Sequence, residues 1–289
     1  MISVVIPAHN EGAVIERCLE RLLAAEVGEP MRVVVACNGC TDGTAERARA
    51  VAERATGPTT IAVVETEVGS KIEGLNLGDA ASEGFPRLYV DADVVIDGPA
   101  IRATVEALRG SGVLAAAPKM AVDTSGSSWP VRAWYAVWRQ SPYHRTAMLG
   151  AGVYAVSEAG RARWDKFPKI IADDEFVRAN FAEDERVNPP GVTFGITAPR
   201  TLWGLIKIKS RSRLGLYELR EKFPELASTS EKKTGSLWRS VVGRPGLWPG
   251  AVVYLLVGAV VRRRAAKQLR RLADYAWERD ETSRAAVAR

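Results

Sequence analysis

The sequence predicts an α/β fold, with a mostly parallel central sheet covered by helices and a helical C-terminal extension. Three observations carry this expectation. Short apolar runs alternate with amphipathic stretches through about the first ninety residues. Those runs are continuously apolar, as in strands buried on both faces of a sheet. Beyond residue 200 the chain turns to apolar and strongly basic stretches.

Taken in order, residues 2–7 read as the first strand. Residues 12–25 place Val14, Ile15, Cys18, Leu19, Leu22 and Leu23 at helical spacing. Residues 31–36 give a second buried strand, and residues 41–55 a second helix with Thr41 or Asp42 as its N-cap. Residues 61–64 and 71–82 repeat the pair, and residues 87–90 form a fourth strand. Such repetition builds a Rossmann-like parallel sheet. No G-x-G-x-x-G is present, so a dinucleotide is not indicated. The second half is less regular. Residues 113–118 read as a strand, and residues 129–140 carry Trp129, Trp134, Tyr135 and Trp138, an aromatic cluster suited to a packing seam.

At 289 residues, 47% hydrophobic and 26% charged, the chain has the makings of an ordinary folded protein with a sizeable core. The net charge of +6 hides an asymmetry. Residues 200–289 hold 20 basic against 8 acidic side chains, whereas residues 1–199 hold 20 against 26. A basic tail on a slightly acidic body suggests an anionic surface near the tail. No nucleic-acid module accompanies it, so nucleic acid is not expected as a partner. Three cysteines cannot make a disulfide framework and suggest a reducing compartment. The N-terminus lacks a basic n-region and a cleavable apolar segment, so a cytoplasmic location is expected.

The chemistry gathers in two acidic segments. Leu88-Tyr89-Val90 run straight into Asp91-Ala92-Asp93. The period of two would let both carboxylates point the same way at a strand end. Two like charges so close need compensation, which a hard divalent cation such as Mg²⁺ or Mn²⁺ supplies while sharing its shell with phosphate. A polar strand end or an Asx turn would look the same in isolation. The second segment is Asp173-Asp174-Glu175, either an acidic helix start favoured by the dipole or the seat of a general base. Gly150-Ala151-Gly152 is a loop where backbone can approach a ligand or simply turn.

Together these pieces resemble the inverting family 2 glycosyltransferases of the GT-A fold, over about the first 220 residues. Pro7-Ala8-His9-Asn10-Glu11 looks like the opening strand and loop, with His9 in place of the more usual tyrosine. Asn38-Gly39-Cys40-Thr41-Asp42-Gly43-Thr44 looks like the second nucleotide loop, with Asn38 where an aspartate usually contacts the base. Lys71 to Asn76 looks like the Lys-…-Leu-Asn helix, Asp91 to Asp93 the metal motif, and Gly150 to Gly152 the acceptor-side loop. Asp173-Asp174 is similar to the pair that carries the catalytic base, and no histidine follows it to serve as a third metal ligand.

The resemblance implies an activity and a division of the chain. A nucleotide-diphosphate-sugar would lie on Pro7, Ala8, Asn10, Glu11, Asn38, Lys71 and Asp91. Asp93, with Asp91, would hold Mn²⁺ or Mg²⁺, and Arg211 or Arg213 would add a second cation on the diphosphate. Asp174, or failing it Asp173, would take the proton from an acceptor hydroxyl as one sugar is transferred with inversion. The acceptor would be a glycan or a lipid-linked molecule, contacted by Gly150, Ala151 and Gly152. Residues 1–112 would form the donor half, 113–220 the acceptor and base half, and 221–289 a basic helical region.

Within that last region, residues 247–261 are apolar over a stretch of about 22 Å, short of a bilayer's hydrocarbon core of roughly 30 Å. With Trp238, Trp248 and Arg262-Arg263-Arg264 nearby, an interfacial helix on an anionic membrane is expected, at the inner face of the cell membrane; a helix packed on the catalytic domain is the alternative. Two other chemistries share some of these residues. Leu88 to Val95 also fits the start of a haloacid-dehalogenase-like phosphatase with Asp91 as nucleophile, and Cys37-Asn38-Gly39-Cys40 fits a thiol oxidoreductase loop.

Overall fold

The computed structural model describes residues 1–110, 112–141, 144, 152–227 and 235–272. Packing divides the chain into two interleaved units. The first takes the described parts of 1–121, 149–169 and 180–196, and the second those of 122–148, 170–179 and 197–289. The contiguous boundaries expected from the sequence, 1–112, 113–220 and 221–289, follow a different division.

The first unit is built on β1 (Ile2–Ala8), β2 (Met31–Asn38), β3 (Thr59–Thr66), β4 (Arg87–Val90), β5 (Ala115–Ala116), β7 (Val153–Val156) and β8 (Arg186–Val187). They form one sheet in the order β3-β2-β1-β4-β7-β5-β8. The pairs β1–β2, β2–β3, β1–β4 and β5–β8 are parallel, and β7 alone runs against its neighbours. A second, two-stranded sheet pairs β6 (Lys119–Asp123) with β9 (Thr193–Thr197). The apolar runs have the expected cause: Ile2, Val4, Val5, Ile6, Val33, Val34, Val35 and Leu88 are all fully buried. Helices α1 (Ile15–Leu23), α2 (Thr44–Glu53), α3 (Lys71–Ala80), α4 (Gly98–Ala107) and the short α6 (Glu158–Arg161) complete this unit. Asp97 caps α4 by accepting from Ala100 N at 2.9 Å.

One charged knot fastens α3 to β4. Asp79 near the end of α3 accepts from Arg87 Nη1 at 2.6 Å and from Tyr89 hydroxyl at 2.5 Å, both on β4. Its other oxygen accepts from Arg161 Nε at 2.9 Å and Nη2 at 2.5 Å. Arg87 also donates to the Asp79 carbonyl through Nη1 and to the Ser82 carbonyl through Nη2. Burial alone would raise the Asp79 carboxyl, but hydrogen bonds from Arg161, Tyr89 and Arg87 outweigh it and hold it below the ordinary range. Tyr89 stacks on Tyr154 of β7 at 4.8 Å and meets Phe167 edge-on at 5.3 Å.

The second unit is helical: α5 (Trp129–Trp138), α7 (Asp173–Ala179), α8 (Leu202–Lys222), α9 (Pro224–Ala227), α10 (Gly235–Val242) and α11 (Trp248–Leu269). Trp134, Tyr135 and Trp138 are buried in a seam, as expected of the aromatic cluster, while Trp129 is exposed. The apolar run 247–261 is not a helix of its own. α11 continues unbroken through Arg262, Arg263 and Arg264 over 22 residues, about 33 Å. Pro245–Leu269 is therefore long and apolar enough, by length and composition, to cross a bilayer. Yet Gly250, Val257, Val261 and Ala265 are buried, and the helix packs lengthwise on α5 and α8.

The knot yields a prediction. Asp79→Ala leaves Arg87 and Arg161 buried without their anion and is expected to cost about 3–5 kcal/mol at neutral pH in a urea titration. Because the folded carboxyl titrates below the unfolded one, its contribution is present at neutral pH and lost as pH falls below about 4. The gap between variant and parent should narrow in that range; a loss below about 1 kcal/mol at pH 7 would demote the knot to an ordinary surface pair.

Candidate active site

The carboxyl ends of β1, β2 and β4 carry most of the residues singled out in the sequence, and the first unit brings these together. Pro7 and Ala8 close β1 in buried positions. Asn10 follows with a φ of 54°, and Glu11 is buried behind it. The loop after β1 is laced to the loop after β2. Asn10 Oδ1 accepts from Thr41 N at 2.8 Å, Asp42 Oδ2 from Gly12 N at 2.9 Å, and Thr44 Oγ1 from Glu11 N at 2.9 Å. Asp42 Oδ1 accepts in turn from Thr44 N at 3.2 Å, ahead of α2. Burial would raise the Asp42 carboxyl, but the hydrogen bonds from Thr44 and Gly12 outweigh it and hold it low. Gly39 N donates to Thr66 O at 2.8 Å, which ties β3 into the same edge.

Asn38 is held inside the fold. Its side chain is 1% exposed, and Nδ2 donates to Ala8 O at 2.9 Å and Ala36 O at 3.4 Å. The amide braces β2 against the end of β1. A carboxylate here would set oxygen against two carbonyl oxygens, which explains the amide physically. His9, by contrast, is half-buried and hydrogen-bonds the Asn38 carbonyl through Nδ1.

The acidic pair sits just past the fourth strand. β4 ends at Val90, and Asp91-Ala92-Asp93 form a turn closed by Val94 N donating to Asp91 O at 3.1 Å. The strand-alternation argument for a shared face therefore does not apply; the turn presents both carboxylates, with Ala92 and Val94 buried beneath. Lys71 Nζ, from the first residue of α3, pairs with Asp91 Oδ1 at 2.9 Å. Ser70 caps that helix by accepting from Glu73 N at 3.4 Å, so the lysine enters from an ordered end. Asp91 N donates to Gly152 O at 2.8 Å. Gly152 has a φ of +107°, and a Cβ there would stand 2.8 Å from Val94 Cγ2, so no larger residue fits this support without strain. Gly150 and Ala151 lie outside the described residues.

The field of the pair reaches α1. Burial pushes the Cys18 thiol up to about 12, and the negative charge of Asp93, then Asp91 and Glu11, adds to it. Two carboxylates on one turn are hard oxygen donors of the kind that Mn²⁺ or Mg²⁺ takes. Among the described residues no group of three or more His, Cys, Asp and Glu side chains could cage an ion alone. The thiol chemistry considered for Cys37 and Cys40 finds no support. Burial, with Cys40 beside it, pushes the Cys37 thiol up to about 12, opposite to an activated nucleophile.

Asp173 and Asp174 belong to the second unit. They open α7, where Asp173 is buried and Asp174 half-buried. Glu175 pairs with Arg178 at 2.8 Å, so its charge is neutralised locally. Two residues missed in the sequence position this turn. Glu218 of α8 accepts from Ile171 N at 2.8 Å, and a Cβ on Gly215 would meet Ala172 Cβ at 2.6 Å. Each lies about 45 residues downstream, and a helix-interior Gly and Glu carry no local signal. Arg211 and Arg213 both lie on α8, about 200° apart around its axis, so they cannot serve one site together.

Residues 1–164 match the family model described as "Glycosyltransferase like family 2". The undecaprenyl-phosphate 4-deoxy-4-formamido-L-arabinose transferase of Pseudomonas aeruginosa is 31% identical over 135 residues, which is 46% of this chain and 40% of that protein. Among solved structures, a mannosyltransferase from Pyrobaculum calidifontis in complex with GDP-Man and Mn²⁺ superimposes with a TM-score of 0.62 at 21% identity, covering 99% of this chain and 77% of its own. Glucosyl-3-phosphoglycerate synthase from Mycobacterium tuberculosis, with Mn²⁺, UDP and glucosyl-3-phosphoglycerate, gives 0.52 at 20% identity over 76% of this chain and 79% of its own.

The inward amide predicts a pH signature. Asn38→Asp is expected to cost roughly 2–3 kcal/mol at pH 7 by urea denaturation, because a buried carboxylate would face carbonyl oxygens. The folded carboxyl would titrate above its unfolded value, so the penalty should fade as pH drops toward about 4 and grow as it rises. A penalty independent of pH would refute the inward reading of Asn38.

Proposed function

The chain belongs to the glycosyltransferase-like family 2, a glycosyltransferase on the GT-A nucleotide-sugar fold, and from that premise we propose that it transfers one sugar, with inversion, from a nucleotide-diphosphate-sugar to a lipid-linked or glycan acceptor. The observation that carries the donor half is the Lys71–Asp91–Asp93 turn beside two mutually braced loops. Ligands of open α/β sheets bind at the carboxyl ends of such strands. The nucleotide would lie along the ends of β1, β2 and β3, against Pro7, Ala8, Asn10, Glu11 and His9. Asn38 would act from beneath as a brace.

Asp93, with Asp91, would hold a divalent cation; the Mn²⁺ in the related structures supports this choice. When bound, the ion would offset charge on the diphosphate. Lys71 is placed to put its ammonium on the same phosphates, held by a half-exposed carboxylate that can share it. Arg211 remains the candidate from α8 for a further cation there. Asp174 is the proposed base: it accepts the proton of the acceptor hydroxyl while the oxygen attacks the anomeric carbon from the face opposite the leaving diphosphate. Asp173 is its alternative. Gly152, with Gly150 and Ala151, is the proposed acceptor-side loop.

Membrane contact through α11 is part of the same reading. Trp248, Val252, Leu255, Leu256 and Val260 are exposed along one side of it, and Arg262 to Arg264 follow. Aromatic and apolar residues bordered by arginines suit an anionic interface at the inner face of the cell membrane. With its other side packed lengthwise, the helix would lie in the interface. The P. aeruginosa relative, named for undecaprenyl phosphate, favours a lipid-linked acceptor.

A thermal-shift panel of UDP, GDP, CDP and TDP, with and without Mn²⁺, tests the donor site. One diphosphate should stabilise the protein only with metal, and Asp93→Ala should abolish the effect; no response to any of the four would count against the donor site. With the donor identified, Asp174→Asn should lower kcat by roughly 10²–10⁴-fold with donor KM unchanged. Near-normal turnover in that variant, with loss in Asp173→Asn, would move the base by one residue.

A further inference from the structure

A cation of the chain itself already sits on the acidic turn. Lys71 Nζ pairs with Asp91 Oδ1 at 2.9 Å, and with 27% and 36% of their side chains exposed both groups are within reach of a ligand. The other carboxylate oxygen is turned toward Gly152: a Cβ built on that glycine would stand 3.6 Å from Asp91 Oδ2. The backbone beneath is fixed, because Asp91 N donates to Gly152 O at 2.8 Å. Lys71, Asp91 and Gly152 all belong to the first unit.

Lys71 stands there against a local field. It is the first residue of α3, and a positive charge in the first turn of a helix opposes the helix dipole. Ser70 and Glu73 are the groups that such a helix end favours, the serine as cap and the glutamate as first-turn acid. The Asp91 carboxylate offsets the cost of the lysine, and a stronger anion within reach would draw the ammonium off. The far end of α3 stays in place meanwhile, fastened to β4 by the Asp79 knot, so only the flexible lysine stem moves.

One carboxylate does not serve two cations equally. A doubly charged ion that took Asp91 as a ligand would stand beside the ammonium, and like charges sharing one partner repel. A diphosphate changes the balance. It offers Lys71 a second anion, and it brings oxygen ligands with which a hard ion completes its shell.

We propose that Lys71 guards the acidic turn: it keeps a divalent ion off Asp91 until a nucleoside diphosphate takes the ammonium, so that ion and donor enter together. This rests on the donor-site reading above and assigns the coupling between the two ligands to one side chain. Such coupling is reciprocal: the factor by which the ion raises diphosphate affinity is the factor by which the diphosphate raises ion affinity.

The test is equilibrium dialysis of the full chain against Mn²⁺ alone, then with UDP, GDP, CDP or TDP, beside a protein-free control for Mn²⁺ carried by the nucleotide. Wild type should hold Mn²⁺ about tenfold or more tightly with one diphosphate than without. Lys71→Met should bind Mn²⁺ alone roughly tenfold more tightly than wild type and lose most of the gain that the diphosphate adds. Adding Asp93→Ala to Lys71→Met should remove the tighter binding, and the charge-retaining Lys71→Arg should behave as wild type. Lys169→Met removes an equal charge, paired with Glu73 of the same helix at 3.6 Å, and should change Mn²⁺ binding less than about threefold. Equal Mn²⁺ affinity in Lys71→Met and wild type would overturn the guard. So would an equal rise in Lys169→Met, which would mean a diffuse field, or a rise that survives Asp93→Ala, which would put the ion elsewhere. Wild type that binds Mn²⁺ as tightly alone as with a diphosphate that stabilises it would overturn it too. Failure of every diphosphate on wild type would refute the donor reading, while the Mn²⁺-alone arm still decides whether Lys71 bars the turn, so the two fail separately.

Discussion

The carboxylate of Asp79 is the constraint on which the first unit depends. It gathers Arg87, Tyr89 and Arg161 onto two oxygens in a nearly dry environment, so each partner is fixed in direction as well as distance. The pair α3 and β4 run in opposite senses and are clamped at both ends. The buried knot holds one end, and the half-exposed Lys71–Asp91 pair closes the other. The energetics of the two differ. A buried network is costly to break because it strands charges, whereas the outer pair can exchange partners with a ligand at little cost. A rigid end therefore supports an adaptable one, and the adaptable end is where the acidic turn lies.

The same logic governs the loops. Asn10, Asp42 and Thr44 satisfy backbone N–H groups across the β1 and β2 loops, so these loops need no ligand to hold their shape. Sites prepared in this way avoid the ordering cost that a mobile loop would impose on binding. In the second unit, the acidic turn before α7 is held instead by packing at Gly215 and by the Glu218 carboxylate.

Much of this was legible in the sequence, and for a definite reason. Parallel strands buried on both faces must be apolar throughout, so β1, β2 and β4 announce themselves. Helices α1 and α2 came out shorter than the pattern 12–25 and 41–55, because loop hydrogen bonds claim their first residues. The reversed strand β7 was not foreseen: it has only four residues, and strand direction leaves no local trace. Asp91 and Asp93 were singled out by type and spacing, and Asn38 and Lys71 by the family resemblance. The inward turn of Asn38, the Asp79 knot and the Gly215 contact were not, since each joins residues whose proximity only the folded chain creates. The length of α11 was underestimated because charged residues were taken as its end, whereas long arginine stems are compatible with a continuing helix.

The interleaving of the two units bears on how such a chain can diversify. The second unit is assembled from three separate stretches of sequence, and the first likewise. A single genetic crossover between two relatives would therefore exchange only fragments of either unit and break up its packing. New preferences must arise instead by substitutions made in place, on a chain whose core they leave standing.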